Sequence, residues 1–111
     1  MKKILAAMII VTSSAVLAQP PTFPKNEPYA TARASLLKQG WHPVHAPDPG
    51  FVCQKGDHRC EGRPETVDCA GAGLGNCLFR WKREKAVLEI VTVGEDNPIV
   101  TSVKVKASSG R

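Results

Sequence analysis

The residues with the clearest chemical potential are the four cysteines in the middle of the chain, Cys53, Cys60, Cys69 and Cys77. Free thiolates could bind a metal ion or exchange disulfides, whereas cysteines in an oxidising compartment pair with one another. Four cysteines allow three pairings, and their spacing leaves all three open. We favour the pairing of neighbours, because it closes two short loops that would each contribute about 2 to 3 kcal/mol in the chain-entropy model.

Other uses of these cysteines lack the motifs that they need. Thioredoxin-like redox sites and c-type haem attachment both use two cysteines separated by two residues, and no cysteine pair here has that spacing. A zinc site built from Cys53, His58, Cys60 and a later cysteine would also lack two cysteines separated by two residues, which present two thiolates to one ion. We therefore expect structural disulfides, with no metal and no cofactor.

The remaining candidates for catalysis are histidines and carboxylates. His42 and His45 are three residues apart, so on a strand they would point to opposite faces. The acidic residues of the cysteine region are Asp57, Glu61, Glu65 and Asp68. They alternate with Lys55, Arg59 and Arg63, so we expect ordinary solvated charge there. No Gly-x-Ser-x-Gly nucleophile elbow is present, and the sequence predicts no catalytic site.

Three alternating glycines, Gly71, Gly73 and Gly75, lie between the last two cysteines. They lack the Lys-Ser/Thr ending of a phosphate-binding loop, and a predicted strand follows them where such a loop leads into a helix. We expect these glycines to let the backbone turn tightly.

The first residues of the chain predict export, which sets the redox environment of the cysteines. Lys2 and Lys3 precede an apolar run over residues 4–11, and a Val-Leu-Ala sequence ends at Ala18. These are the three parts of a secretory signal peptide, with cleavage after Ala18. Polar residues 12–14 interrupt the apolar run well before the about 20 residues of a spanning helix. We expect a periplasmic or secreted protein with no transmembrane segment in the mature chain.

The net charge of the predicted mature chain argues against nucleic acid as a partner. Cleavage would remove two lysines and no acidic residue, which lowers the formal net charge from +5 to +3. This excess is too small to indicate nucleic-acid binding, but it fits weak attraction to an anionic envelope surface. A mature chain of about 90 residues is expected to form one domain with a small core, so disulfide bonds should matter for its stability.

One helix is expected before the cysteine region. Residues 19–26 are proline-rich and should form an extended leader. Asn26 can cap a helix from Glu27 to Gln39, and Gly40 can end it. The apolar stripe of this helix consists of Tyr29, Ala32, Leu36 and Leu37.

The rest of the chain predicts an antiparallel sheet. Residues 41–45 suit a short strand, which Pro43 confines to an edge. The disulfides should order the region 46–76, with a short helix near residues 64–67. Three strands are expected at Leu78–Arg83, Ala86–Val93 and Ile99–Lys106. The predicted fold is an α+β domain over residues 27–107: a helix on a three- to four-stranded sheet with a disulfide-stapled loop region, followed by a tail at 108–111.

Alternation along the predicted strands suggests one basic surface. Phe79 and Trp81 share one face of their strand, which puts Arg80 and Lys82 on the other. In the last strand four residues are expected to share a face opposite the lysines: Ile99, Thr101, Val103 and Val105. If the register allows it, a basic stripe forms from Arg80, Lys82, Lys104 and Lys106, with Val87, Glu89 and Val91 between them. Such a stripe could bind an anionic protein, lipid head group or cell-wall polymer, or it could simply protect a small sheet from aggregation.

Two segments of the chain carry a resemblance to known proteins. The first is Tyr29-x-x-x-Arg33-x-x-Leu36-x-x-x-Gly40-Trp41-x-Pro43. The second is Pro64-Glu65-x-x-x-Cys69-x-Gly71-x-Gly73-x-Gly75-x-Cys77-x-Phe79-x-Trp81. With these segments the chain resembles a group of small exported proteobacterial proteins of unknown function, which implies a Cys69–Cys77 bridge and no activity.

A looser likeness concerns the order of elements only. The predicted layout is similar to small periplasmic helix-plus-meander modules of the PepSY and β-lactamase-inhibitor-like kind, and that likeness implies a role in protein binding. We therefore expect a non-catalytic periplasmic or secreted binding module whose partner is an envelope protein or an anionic envelope surface. The alternative is a small envelope hydrolase or metal-dependent enzyme that uses acidic and histidine residues of the cysteine region.

Overall fold

Residues 20–107 are described by a computed structural model, so the predicted signal peptide and the predicted tail at 108–111 lie outside the described residues. The described chain forms one α-helix and five antiparallel strands. The elements are α1 (Tyr29–Lys38), β1 (His42–Pro43), β2 (Thr66–Cys69), β3 (Cys77–Arg83), β4 (Ala86–Val93) and β5 (Ile99–Ala107). Within residues 20–107 no helix has the length and hydropathy to cross a membrane.

The sheet is a three-stranded meander with two short strands added at one side. β3 pairs with β4 and β4 with β5, whereas the other side of β3 is shared by β1 and β2. β1 pairs near the end of β3, at Trp81 and Lys82, and confirms the short edge strand that contains Pro43. β2 pairs near the start of β3, at Cys77 to Phe79. The sheet therefore has five strands, more than the three or four expected.

The additional strand corrects the expectation of a short helix near residues 64–67. Thr66 and Val67 begin β2 and are both buried. They are β-branched residues that fit a pleated surface, and Cys69 at the end of β2 pairs directly with Cys77 of β3. The cross-strand disulfide therefore holds this segment in the sheet.

The start of α1 also differs from the prediction. Asn26 has a φ of 63°, and the cap position belongs to Pro28, which makes no side-chain capping bond. The backbone here bonds to the sheet instead: the Val100 N–H donates to the Glu27 carbonyl at 2.8 Å. The Tyr29 N–H likewise donates to the carbonyl of Pro98, the residue before β5. These bonds fix residues before Tyr29 as an extended bridge to β5, so the helix begins two residues later than Glu27.

The core lies between α1 and the inner face of the sheet. Its fully buried side chains are Tyr29, Leu36, Trp41, Phe79, Trp81, Leu88 and Ile90. The rings of Tyr29 and Phe79 stack with centroids 3.9 Å apart. Gly40 ends the helix with a φ of +86°, which lets Trp41 turn back over the core. Phe23 of the predicted leader is half-buried against this cluster.

A bulge in β5 changes which residues face the core. The pairing of β4 with β5 shifts between Val91 and Thr92, which leaves Thr101 as an extra residue. Side chains along a strand alternate with a period of two, and the extra residue shifts this alternation by one. Ile99 before the bulge and Val103 after it therefore lie on opposite faces. Val103 packs on the core with its neighbour Val105, whereas Thr101 is exposed. The expectation that Ile99 and Thr101 share the face of these valines is therefore wrong.

Candidate functional site

The four cysteines form two disulfides. Cys53 bonds to Cys60 and Cys69 bonds to Cys77, which is the pairing of neighbours favoured from the sequence. The described chain therefore contains no free thiol. In residues 20–107 no group of three or more His, Cys, Asp or Glu side chains is arranged to hold a metal ion.

One carboxylate of the cysteine region is fully buried, which corrects the expectation of solvated charge there. Glu65 is 0% exposed and accepts hydrogen bonds from Tyr29 Oη at 2.9 Å and from Arg33 Nε at 2.6 Å. Trp81 Nε1 donates to the same Tyr29 oxygen at 3.0 Å. Burial and then the charge of Glu65 raise the pKa of Tyr29, and the hydrogen bond to Glu65 raises the pKa of Arg33. This network connects α1, β3 and the residue before β2.

A buried arginine orders the loops of the cysteine region, again in contrast to the expectation of solvated charge. Arg59 donates to both carboxylate oxygens of Asp57, at 2.9 and 2.7 Å. It also donates to the carbonyls of Ala70 at 2.7 Å and Gly75 at 3.2 Å. The hydrogen bonds from Arg59 lower the pKa of Asp57. The arginine therefore joins the first disulfide loop to the glycine-rich loop.

The other polar residues of this region remain at the surface. Glu61, Asp68, His58 and Lys55 are exposed, as solvated charge requires. His45 Nδ1 lies 3.2 Å from the Pro64 carbonyl oxygen. A cavity of about 660 Å³ is lined in part by Asp48, Asp57 and Asp68. Of these three carboxylates, that of Asp57 is held in an ion pair by Arg59.

The four basic residues singled out in the sequence lie on the outer face of the sheet, opposite α1. Strand register places them in two adjacent cross-strand rows, Arg80–Glu89–Lys104 and Lys82–Val87–Lys106. A third row is Asp68–Leu78–Val91–Ser102, because Asp68 of β2 pairs with Leu78. We call this set of three rows the outer face. Its apolar side chains are half-buried, so a weakly apolar strip lies beside the cations.

Glu89 neutralises part of the outer face. Its carboxylate lies 2.8 Å from Arg80 Nη2 and 2.8 Å from Lys106 Nζ. Lys106 first, and then Arg80, lowers the pKa of Glu89, so its carboxylate is ionised at neutral pH. Lys82 and Lys104 are exposed and make no ion pair within residues 20–107. The outer face therefore carries four cations against two carboxylates, Glu89 and the exposed Asp68, and two of these cations are free to meet an anion.

Sequence reasoning did not place a histidine on this surface. His42 of β1 pairs with Lys82, so it extends the second row of the outer face to the opposite edge of the sheet. His42 is exposed, as is Lys82. The only sequence signal was the predicted edge strand, which did not specify the strand that it joins.

Comparisons of the chain with protein-family models, with curated proteins and with solved structures gave no significant match.

Proposed function

We propose that the chain is a non-catalytic binding module of the bacterial envelope, periplasmic or secreted, whose outer face binds an anionic partner. The observation that carries the proposal is the placement of Arg80, Lys82, Lys104 and Lys106 in two neighbouring rows of one sheet face. The partner is an envelope protein or an anionic envelope surface.

Strand geometry sets the size of the anion that this face would fit. Strands lie about 4.8 Å apart, so Arg80 and Lys104, two strands apart, are separated by roughly 10 Å. Arg80 and Lys82, two residues apart along one strand, are separated by roughly 7 Å. Several negative groups with such spacing, as on an acidic protein or a polymer, would be needed to engage all four cations.

The rigid sheet supports binding as well as the charge does. The Cys69–Cys77 disulfide and the Glu65 network, which reaches Trp81 through Tyr29, hold the chain around β3. A preformed surface loses little conformational entropy when it binds. The competing role, a charged face that only prevents aggregation, predicts no partner at all.

Charge-reversal variants test the proposal. Lys82 and Lys104 are the best positions, because neither holds Glu89 and their replacement leaves no buried charge unpaired. The test variant is Lys82→Glu with Lys104→Glu. The matched control is Lys38→Glu with Lys55→Glu, which changes the net charge equally at exposed positions outside the strands.

Binding is measured to polyglutamate beads, to vesicles containing an anionic lipid, and by pull-down from an envelope extract. We expect the test variant to lose about tenfold or more in affinity for the partner, and the control to keep it. Equal binding by the test variant, the control and the wild type would contradict the proposal, and so would the absence of any binding by the wild type.

The alternative, a small hydrolase or metal-dependent enzyme of the cysteine region, is tested separately. Metal analysis and a thiol count on the oxidised protein distinguish it. Four free thiols with stoichiometric zinc would support this alternative. We expect no free thiol, because both cysteine pairs are bonded.

A further inference from the structure

One edge of the sheet is open next to the outer face. β5 pairs with β4 on one side only. On its other side, the start of β5 is covered by the segment before α1, through the bridge between Pro28 and Ile99 and the bond from Val100 N–H to Glu27. From Thr101 onward, no further strand in residues 20–107 pairs with this edge. The outward N–H and C=O groups there can pair with an added strand.

A hollow lies beside the open edge. It has a volume of about 380 Å³ and is lined on one side by residues 23–26 and on the other by residues 100–103. Its lining includes Phe23 and Val103, which are half-buried against the core, together with the polar residues 25–26 and 101–102. A strand added along β5 would bring an apolar side chain to this hollow.

The two faces of β5 differ in charge and polarity. Lys104 and Lys106 point to the outer face, opposite Glu89 and Val87 of β4. Val103 and Val105 point to the inner face and are half-buried against the core. An added strand would therefore meet cations on one face and an apolar surface on the other.

We propose that β5 accepts an extended segment of a partner protein as a sixth strand, and that this segment alternates acidic and apolar residues. Its acidic side chains would lie beside Lys104 and Lys106, and its apolar side chains beside Val103, Val105 and the hollow. The inference rests on the proposed function, because it names the partner of the outer face as an acidic peptide strand.

A second copy of this chain fits the edge poorly. If two β5 strands paired antiparallel about their lysine-bearing halves, Lys104 and Lys106 of one copy would face the same residues of the other. Like charges directly opposite each other destabilise a strand pair. The edge lysines therefore disfavour self-association and favour an acidic strand.

The test uses an eight-residue synthetic peptide of alternating Glu and Val, with a block peptide of four Glu followed by four Val as control. Binding is measured by fluorescence anisotropy, and amide hydrogen exchange of the oxidised protein locates the site. We expect the alternating peptide to bind at least about tenfold more tightly than the block peptide. We also expect it to slow exchange in residues 101–106, because new strand pairing protects outward amides.

Two double variants separate strand addition from general charge attraction. The edge variant is Lys104→Glu with Lys106→Glu, and the central variant is Arg80→Glu with Lys82→Glu. They are matched, because each removes two cations and one partner of Glu89. Strand addition predicts that the edge variant loses affinity for the peptide about tenfold or more. The central variant should also lose affinity, but clearly less, because its cations lie two strands away from β5.

Three other outcomes would contradict strand addition. Equal loss in both variants, with no protection in residues 101–106, would mean that the peptide binds the outer face by charge alone; the proposed function would then stand. Failure of the peptide to bind a wild-type protein that binds polyglutamate would contradict strand addition, and the proposed function would again stand. Failure of the wild type to bind either the peptide or polyglutamate would contradict both proposals.

Discussion

Replacing Glu65 with alanine should destabilise the folded protein by about 3 kcal/mol. The carboxylate is 0% exposed and is bonded to Tyr29 and Arg33, so the substitution removes the acceptor of both donors. Removing one partner of a buried ion pair costs about 3 to 5 kcal/mol. The lower end applies here, because the Arg33 side chain is 25% exposed and water can solvate part of it. Tyr29 keeps the hydrogen bond from Trp81 but loses the acceptor for its own hydroxyl hydrogen.

The measurement is urea denaturation of the oxidised protein at pH 7, followed by tryptophan fluorescence and circular dichroism. Glu65→Gln keeps the volume and one acceptor oxygen, so it should cost about 1 to 2 kcal/mol. Asp68→Ala, which changes an exposed acid of the same region, should change the free energy of unfolding by less than about 0.5 kcal/mol. A loss of stability for Glu65→Ala as small as that for Asp68→Ala would refute the view that Glu65 is a structural carboxylate.

Three further changes test the structure. Arg59→Ala should lower the free energy of unfolding by about 2 to 3 kcal/mol, because two backbone carbonyls and the Asp57 carboxylate lose their hydrogen-bond donor. It should also speed amide exchange in the glycine-rich loop, and unchanged exchange would contradict this role of Arg59. Replacing Cys69 and Cys77 with serine should lower the free energy of unfolding by about 2.5 kcal/mol or more in the chain-entropy model, measured by urea denaturation. Glu89→Gln should cost at most about 1 kcal/mol, because its partner Lys106 is 62% exposed. In the folded protein the pKa of Glu89 is lowered from its ordinary value of 4.5. The difference in stability between the wild type and Glu89→Gln should therefore be present at pH 7 and be lost as the pH falls below 4.5 and Glu89 becomes protonated. The same variant should bind polyglutamate more tightly than the wild type, and weaker binding would contradict the role of the outer face.

The sequence predicts the C-terminal strands well, because their signal is local. Alternating β-branched and charged residues with polar turns between them gave β4 its observed bounds and β3 and β5 bounds within one residue. The start of α1, the additional strand β2 and the bulge at Thr101 depend on contacts with distant parts of the chain. Local propensity carries no information about such contacts.

The basic outer face could be predicted from local sequence, whereas the buried charges could not. Arg80, Lys82 and the lysines of β5 share a face because strand alternation is a local property. The burial of Glu65 and Arg59 depends on partners 32 and 11 or more residues away, so a charged residue in a loop was expected to be solvated. One usable signal existed: Tyr29 and Arg33 are one helical turn apart, which places a hydroxyl and a guanidinium on the same side of α1.

The most direct test of the central claim is a map of the residues that contact an anion. We propose to titrate the isotope-labelled, oxidised protein with polyglutamate and to follow the backbone amide signals by nuclear magnetic resonance. The largest shifts are predicted at Lys82, Val87 and Lys104 on the outer face, and they should be lost in the Lys82→Glu, Lys104→Glu variant. Shifts centred on the cysteine region, near Asp48 and Asp57, or shifts that persist in that variant, would contradict the claim that the outer face is the binding surface.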